Sequence, residues 1–143
     1  MSGTALLERL RARQWRITPQ RRVIAQALEG DHVHLTADEV LGTARGRLPE
    51  VSLATVYNTL NELVAMGELL EVDVVDGPKR YDPNVGEEHD HLVCANCHAI
   101  RDVPRSRKPP TIPEGSRAGF QVSAVEVTYR GLCPACAAGH RRS

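Results

Sequence analysis

The chain is 143 residues long and its 18 Lys+Arg balance 18 Asp+Glu, so the formal net charge is zero and bulk charge names no partner. Aromatic residues make up 3% (Trp15, Tyr57, Tyr81, Phe120 and Tyr129), too few for a stacking platform that binds single-stranded nucleic acid. No apolar run approaches the roughly 20 residues of a membrane span, and the first residues lack a signal-peptide pattern; the expectation is a cytoplasmic protein of one ordinary domain or two small ones.

The even balance hides a gradient. Residues 1–22 hold six arginines (Arg9, Arg11, Arg13, Arg16, Arg21, Arg22) against one acid, Glu8. A basic start on a neutral chain points to a polyanion, although a solvated helix face has the same composition. Residues 4–14 space Leu6, Leu7 and Leu10 as a short amphipathic helix. Thr18-Pro19 is an N-cap followed by proline at the first helical position, opening a helix over 19–29. Thr36-Ala-Asp-Glu39 is a capping box that starts a helix to about Leu48, ended by Pro49. Ser52 caps a fourth helix, with Leu53, Val56, Leu60, Leu63 and Val64 inward and Gly67 at its C-terminal end.

Beyond Gly67 the period changes. Leu69 to Val75 reads as extended, Asp76-Gly77 as a turn, and Lys79 to Tyr81 as the returning strand. Helices followed by a two-stranded hairpin describe a winged helix-turn-helix, whose recognition helix lies in the major groove. The N-terminal half of the fourth helix offers Ser52, Thr55, Tyr57 and Asn58 to bases or phosphate, and Arg13, Arg16, Arg21, Arg22, Lys79 and Arg80 are placed to meet the backbone. For any one of these residues, core packing or simple solvation is an equal alternative; the ordered set favours DNA.

Asp82-Pro-Asn-Val-Gly-Glu-Glu88 has the proline, glycine and acids of a hinge. After it, His91–Cys94 and Ala99–Val103 read as strands, and Gln121–Arg130, with Ser123, Val125, Val127 and Tyr129 on one side, as a longer one. The four cysteines, Cys94, Cys97, Cys133 and Cys136, form two Cys-x-x-Cys pairs with 35 residues between them. Two such knuckles place four thiolates around one zinc ion, closed to chemistry and therefore structural. Each half of the chain is near the size at which small folds need a metal or a partner subunit.

Five further residues are candidate ligands: His34, Asp82, His89, His91 and Asp102. His89 and His91 are two apart on an extended segment and so share a side. Nitrogen and oxygen donors of this kind suit iron, manganese, nickel or zinc. His32 is an alternative to His34; His98 and His140 are read as peripheral. A lone histidine is more often an ordinary surface or core residue, but three with two carboxylates near a hinge are less easily dismissed. One ion bound by all five would fix two lobes in one orientation, matching paired DNA half-sites only while it stays bound.

These residues resemble the ferric uptake regulator family of metal-dependent repressors over nearly the whole chain. The resemblance rests on Arg16-Ile-Thr-Pro-Gln-Arg21, His34-Leu-Thr-Ala-Asp38, Val51-Ser-Leu-Ala-Thr-Val-Tyr-Asn58, Lys79-Arg-Tyr-Asp82, His89-Asp-His91-Leu-Val-Cys94-Ala-Asn-Cys97 and Cys133-Pro-Ala-Cys136. It implies an α+β fold: an N-terminal winged helix-turn-helix DNA-binding domain (1–82), a hinge (83–88) and a small α/β dimerisation and metal-binding domain (89–143) with a four-cysteine structural zinc. It also implies a homodimer on double-stranded palindromic operator DNA, no membrane association and no enzymatic activity. Within the family the chain is most similar to the peroxide-sensing branch, because Asp102 stands where iron sensors tend to carry glutamate. That branch implies regulatory iron(II) or manganese(II) on His34, Asp82, His89, His91 and Asp102, with His34 and His89 open to oxidation by peroxide when iron is bound. A metal-uptake repressor of iron, zinc or nickel is the alternative on the same scaffold. A thiol redox protein built on the cysteine pairs, or a constitutive winged-helix protein with zinc only, is weaker.

Two departures stand out. Arg107-Lys-Pro-Pro-Thr-Ile-Pro113 puts three prolines where the family has a helix; each costs roughly 3 kcal/mol in a helix interior, so that helix is expected to be shortened or missing. Ser123-Ala-Val-Glu126 lacks the histidine that iron sensors use for an additional metal, so no complete third site is expected.

Overall fold

The computed structural model describes residues 5–30, 33–74, 76–85, 88–105, 108, 110–123 and 125–139. His32, Val75, Gly86, Glu87, Arg107, Pro109 and His140, each invoked above, lie outside the described residues. The chain divides into two compact units, Met1–Glu87 and Glu88–Ser143.

In the first unit the element order is α1 (Leu6–Ala12), α2 (Pro19–Ala27), β1 (Leu35–Thr36), α3 (Ala37–Arg45), α4 (Leu53–Ala65), β2 (Leu70–Val72) and β3 (Arg80–Asp82). Local side chains start three of the four helices. Thr18 accepts from the Arg21 N–H, Thr36 and Glu39 form the reciprocal capping box, and Ser52 accepts from the Thr55 N–H. The end of α4 is equally explicit. Gly67 takes φ +78°, its N–H reaches the Val64 carbonyl, and the Glu68 N–H reaches Leu63, the paired bonds of a Schellman motif. The apolar faces of the helices meet in one core that includes Leu6, Leu10, Ile24, Leu28, Val40, Val56, Leu60 and Leu63.

Several boundaries move. The third helix stops at Arg45, with Gly46 at its C-cap, not near Leu48. The hairpin strands are Leu70–Val72 and Arg80–Asp82, shorter and slightly shifted from the expected ones. The sequence reading also missed β1. This two-residue strand joins the hairpin to make an antiparallel sheet in the order β1-β3-β2, with Leu35 opposite Tyr81 and Thr36 opposite Arg80.

The second unit contains β4 (His89–Cys94), β5 (Ile100–Pro104), a 3-10 turn (Glu114–Ser116), β6 (Thr128–Gly131) and α5 (Pro134–Ala137). Its sheet order is β5-β4-β6, antiparallel between β4 and β5 and parallel between β4 and β6. Between β5 and β6 the described residues show no α-helix, only the 3-10 turn, as the prolines require. The long strand expected over Gln121–Arg130 is a misreading: among the described residues the strand here is Thr128–Gly131. Alternation is preserved through Val125 and Val127, but a strand also needs a partner, and the ladder to β4 begins at Thr128. The apolar interior here is slight. Val93, Cys94 and Cys136 are its buried apolar side chains among the described residues, while Phe120 is 76% and Leu132 58% exposed.

Candidate metal centres and nucleic-acid interface

The four cysteines converge. Their sulfur atoms all lie within 4.8 Å of one another, and Cys97 Sγ is 3.8 Å from Cys133 Sγ. Four sulfurs at about 2.3 Å from one zinc ion stand about 3.8 Å apart, so the donor set fits that ion. Cys94 comes from the end of β4, Cys97 from the turn after it, and Cys133 and Cys136 bracket the start of α5. Backbone donors prepare the thiolate form. The N–H groups of Cys97 and Cys133 point at Cys94 Sγ (3.5 and 3.4 Å) and hold its pKa down at about 6. The Cys136 N–H, foremost, lowers Cys133. Asn96 Nδ2 donates to Cys136 Sγ at 3.3 Å, yet burial and the surrounding sulfurs outweigh it and push that thiol up to about 11. A cation would remove this conflict by satisfying all four sulfurs at once.

Each unit also presents nitrogen and oxygen donors. In the first, His34 Nε2 lies 3.3 Å from Asp82 Oδ2, and both side chains are buried. The sheet explains the meeting: Leu35 faces Tyr81, so the residues one step beyond each, His34 and Asp82, fall opposite one another. Arg80 Nη1 holds the His34 carbonyl at 2.9 Å, and the Asn84 N–H caps Asp82 Oδ1 at 2.8 Å. In the second unit His91 stands directly opposite Asp102 across the β4–β5 ladder, and His89 is opposite Pro104. Both imidazole Nε2 atoms are 3.5 Å from the same oxygen, Asp102 Oδ1. Their rings are 4.8 Å apart and edge-on. All five expected ligands are therefore placed in two sets, one per unit, aimed at a shared carboxylate in the second and at each other in the first.

On α4, Val56, Thr59, Leu60 and Leu63 turn inward, while Ser52, Tyr57 and Asn58 are exposed and Thr55 is half-buried. Ser52 Oγ is engaged by Thr55, through its N–H at 3.1 Å and its hydroxyl at 3.0 Å. The basic residues divide into two kinds. Arg13 bonds the Met66 carbonyl and Glu68; Arg21 bonds Glu62 and stacks over Trp15; Arg80 meets Glu39 and Lys79 meets Glu71. Arg16 and Arg22 are exposed on α2 and its approach, and no acid pairs with either among the described residues.

Glu68 and Glu62 are the residues the sequence did not announce. Glu68 is 8% exposed and takes Arg9 Nε at 2.8 Å and Arg13 Nη1 at 3.0 Å. Arg9 also reaches the carbonyl of Pro83, next to Asp82, at 3.0 Å. The spacing of Arg9 and Arg13, four apart on one helix face, was the available signal; the identity of their partner was not.

The model of the ferric uptake regulator family matches residues 12–130. The transcriptional regulator FurA of Mycobacterium tuberculosis is 34% identical over 130 residues, 90% of this chain and 88% of the relative. The peroxide operon regulator of Bacillus subtilis is 34% identical over 135 residues, 91% of this chain and 90% of the relative. The crystal structure of the Campylobacter jejuni peroxide stress regulator superposes with a TM-score of 0.64 at 28% identity, covering 91% of this chain and 97% of that one. The chain belongs to the ferric uptake regulator family and is a metal-responsive transcriptional regulator, not an enzyme.

Proposed function

We propose that the protein is a metal-dependent repressor that senses hydrogen peroxide and, once oxidised, releases operator DNA and derepresses peroxide-defence genes. The observation that carries the reading is Asp102, whose one oxygen faces both His89 and His91 at 3.5 Å. An aspartate at this position, where iron sensors tend to carry glutamate, is the feature that the resemblance associates with the peroxide-sensing branch, and the similarity to the peroxide operon regulator supports it.

In this reading His34, Asp82, His89, His91 and Asp102 hold one regulatory iron or manganese ion, and the four cysteines hold zinc. Iron(II) held there would activate hydrogen peroxide: one peroxide oxygen would insert into a ring C–H bond of His34 or His89, the imidazole giving up the two electrons, and the other oxygen would leave as water. An oxidised imidazole is a poorer donor, so the regulatory ion is lost. Residues 1–82 bind DNA, 83–88 form the hinge and 89–143 dimerise. Arg13, Arg16, Arg21, Arg22, Ser52, Thr55, Tyr57, Asn58, Lys79 and Arg80 make up the operator face, with two such faces of a cytoplasmic homodimer matching a palindrome. The exposed Phe120, Val122 and Leu132 supply apolar surface for the partner subunit.

The test is mass spectrometry of the iron form after peroxide. Peptides containing His34 or His89 gain one oxygen, and operator binding falls; the manganese form changes little. Operator release without that mass gain, or iron-form binding that ignores peroxide, defeats the reading. A metal-uptake repressor is the second reading, favoured by the 35% identity over 121 residues to ferric uptake regulation protein 1 of Mycolicibacterium fortuitum. It predicts release by chelators and indifference to low peroxide.

A further inference from the structure

We infer that Arg105 is a positioning residue for the regulatory metal: it holds His89 and His91 in place through Asp90. The inference rests on the proposed role of His89 and His91 as ligands.

Side chains alternate along a strand, so Asp90 lies on the opposite face of β4 from the two histidines between which it sits. It is a carboxylate with 5% exposure, a placement that costs several kcal/mol unless a cation accompanies it. Arg105 provides that cation. Its Nε and Nη2 both donate to Asp90 Oδ1, at 3.1 and 2.9 Å. Nη2 also donates to the Val125 carbonyl at 3.3 Å, and Nη1 lies 3.5 Å from Glu88. The Arg105 side chain is itself only 9% exposed. One side chain thus binds the start of β4, the end of β5 and the segment that leads into β6.

This tie stands where the sheet is otherwise weakest. Opposite His89 is Pro104, which has no N–H to give the ladder. The buried apolar residues Val93 and Cys94 are at the other end of β4, where the cysteine cluster anchors the strand. Among the described residues the histidine end has no comparable buried apolar side chain. There a permanent, covalently attached positive charge does the anchoring, and a fork of fixed geometry sets the strand's direction more tightly than a lone ammonium. Since His89 and His91 share a strand with Asp90, their convergence on Asp102 depends on it.

The experiment uses the full-length, zinc-loaded chain with Arg105→Gln and Arg105→Lys. Cobalt(II) and manganese(II) are titrated into the non-cysteine site, with zinc content and melting temperature measured alongside. Arg105→Gln is expected to weaken the second ion by about 10- to 100-fold, the usual effect of removing a group that orients a ligand, and to alter the cobalt absorption of that site, while zinc stays at one per chain. Arg105→Lys, which keeps the charge without the fork, recovers part of the affinity. Should Arg105→Gln lose its zinc, Arg105→Lys against the wild type carries the test, and an affinity loss at full zinc content supports the inference. Unchanged affinity and cobalt spectrum beside a lowered melting temperature would reduce Arg105 to a structural role and overturn it. A wild-type chain that takes up no second ion overturns the proposed function and this inference with it.

Discussion

His34 Nε2 and Asp82 Oδ2 sit 3.3 Å apart because a strand of only two residues, β1, pairs with β3. His34 and Asp82 are far apart in sequence but both side chains are buried, so neither reorients freely. In the proposed function this imidazole and carboxylate are two of the five ligands, and they already face one another within their own unit.

Asp82→Asn keeps the shape and removes the charge. We expect metal-dependent operator binding to fall at least tenfold, with the cysteine zinc retained. Fluorescence anisotropy on operator DNA with and without manganese measures it; wild-type metal dependence in the variant would remove Asp82 from the site.

Cys94→Ser strikes the sulfur that receives two backbone N–H groups. With so few buried apolar residues around it, the second unit is expected to unfold, because structural zinc binding and folding are one equilibrium. Circular dichroism, zinc content and sedimentation report this. A stable, zinc-free dimer of Cys94→Ser would contradict it.

Glu68 gives the pH dependence. Burial alone would raise its pKa, but the hydrogen bonds and charges of Arg9 and Arg13 prevail and lower it from 4.5. A depressed folded-state pKa contributes stability that is complete above the unfolded value and disappears as the pH falls through the folded one. Acid unfolding of the wild type should therefore steepen below about pH 4.5, its unfolded value. Glu68→Gln should flatten that limb and cost about 1–3 kcal/mol at neutral pH by leaving Arg9 and Arg13 without their acceptor. Urea titrations from acidic to neutral pH compare the two.

Operator binding should weaken steeply with salt, because arginine–phosphate contacts release counterions. Arg16 and Arg22 are the arginines to test, being exposed and unclaimed by acids among the described residues. Each alanine variant should lower affinity for all sequences alike and shallow the slope of log K against log salt by about 0.9. Arg13→Ala and Arg21→Ala break ion pairs to Glu68 and Glu62, so they should also lower the melting temperature. A salt slope unchanged by Arg16→Ala and Arg22→Ala together would take this face off the DNA.

Much of this was legible because the signals were local. Thr18, Thr36 and Ser52 cap helices within three residues of themselves, and the cysteine knuckles carry their own spacing. What escaped was non-local. Nothing in Leu35-Thr36 is strand-like alone; it is a strand because β3 lies beside it. Arg105 reaches Asp90 across 15 residues and Arg9 reaches Glu68 across 59, and no period links such partners. The alternation of Gln121–Val127 misled because it records which faces differ, not whether a neighbouring strand exists. The five candidate ligands were picked out by residue type; their division into a pair and a trio needed the two sheets.

The sparse interior of the second unit imposes an order of assembly. Val93 and Cys94 end the same strand that His89 begins, so on the proposed zinc assignment a chain without that ion would lack a stable rail on which to line up its imidazoles. On the proposed function, supply of the first metal would set how many copies are able to respond to the second.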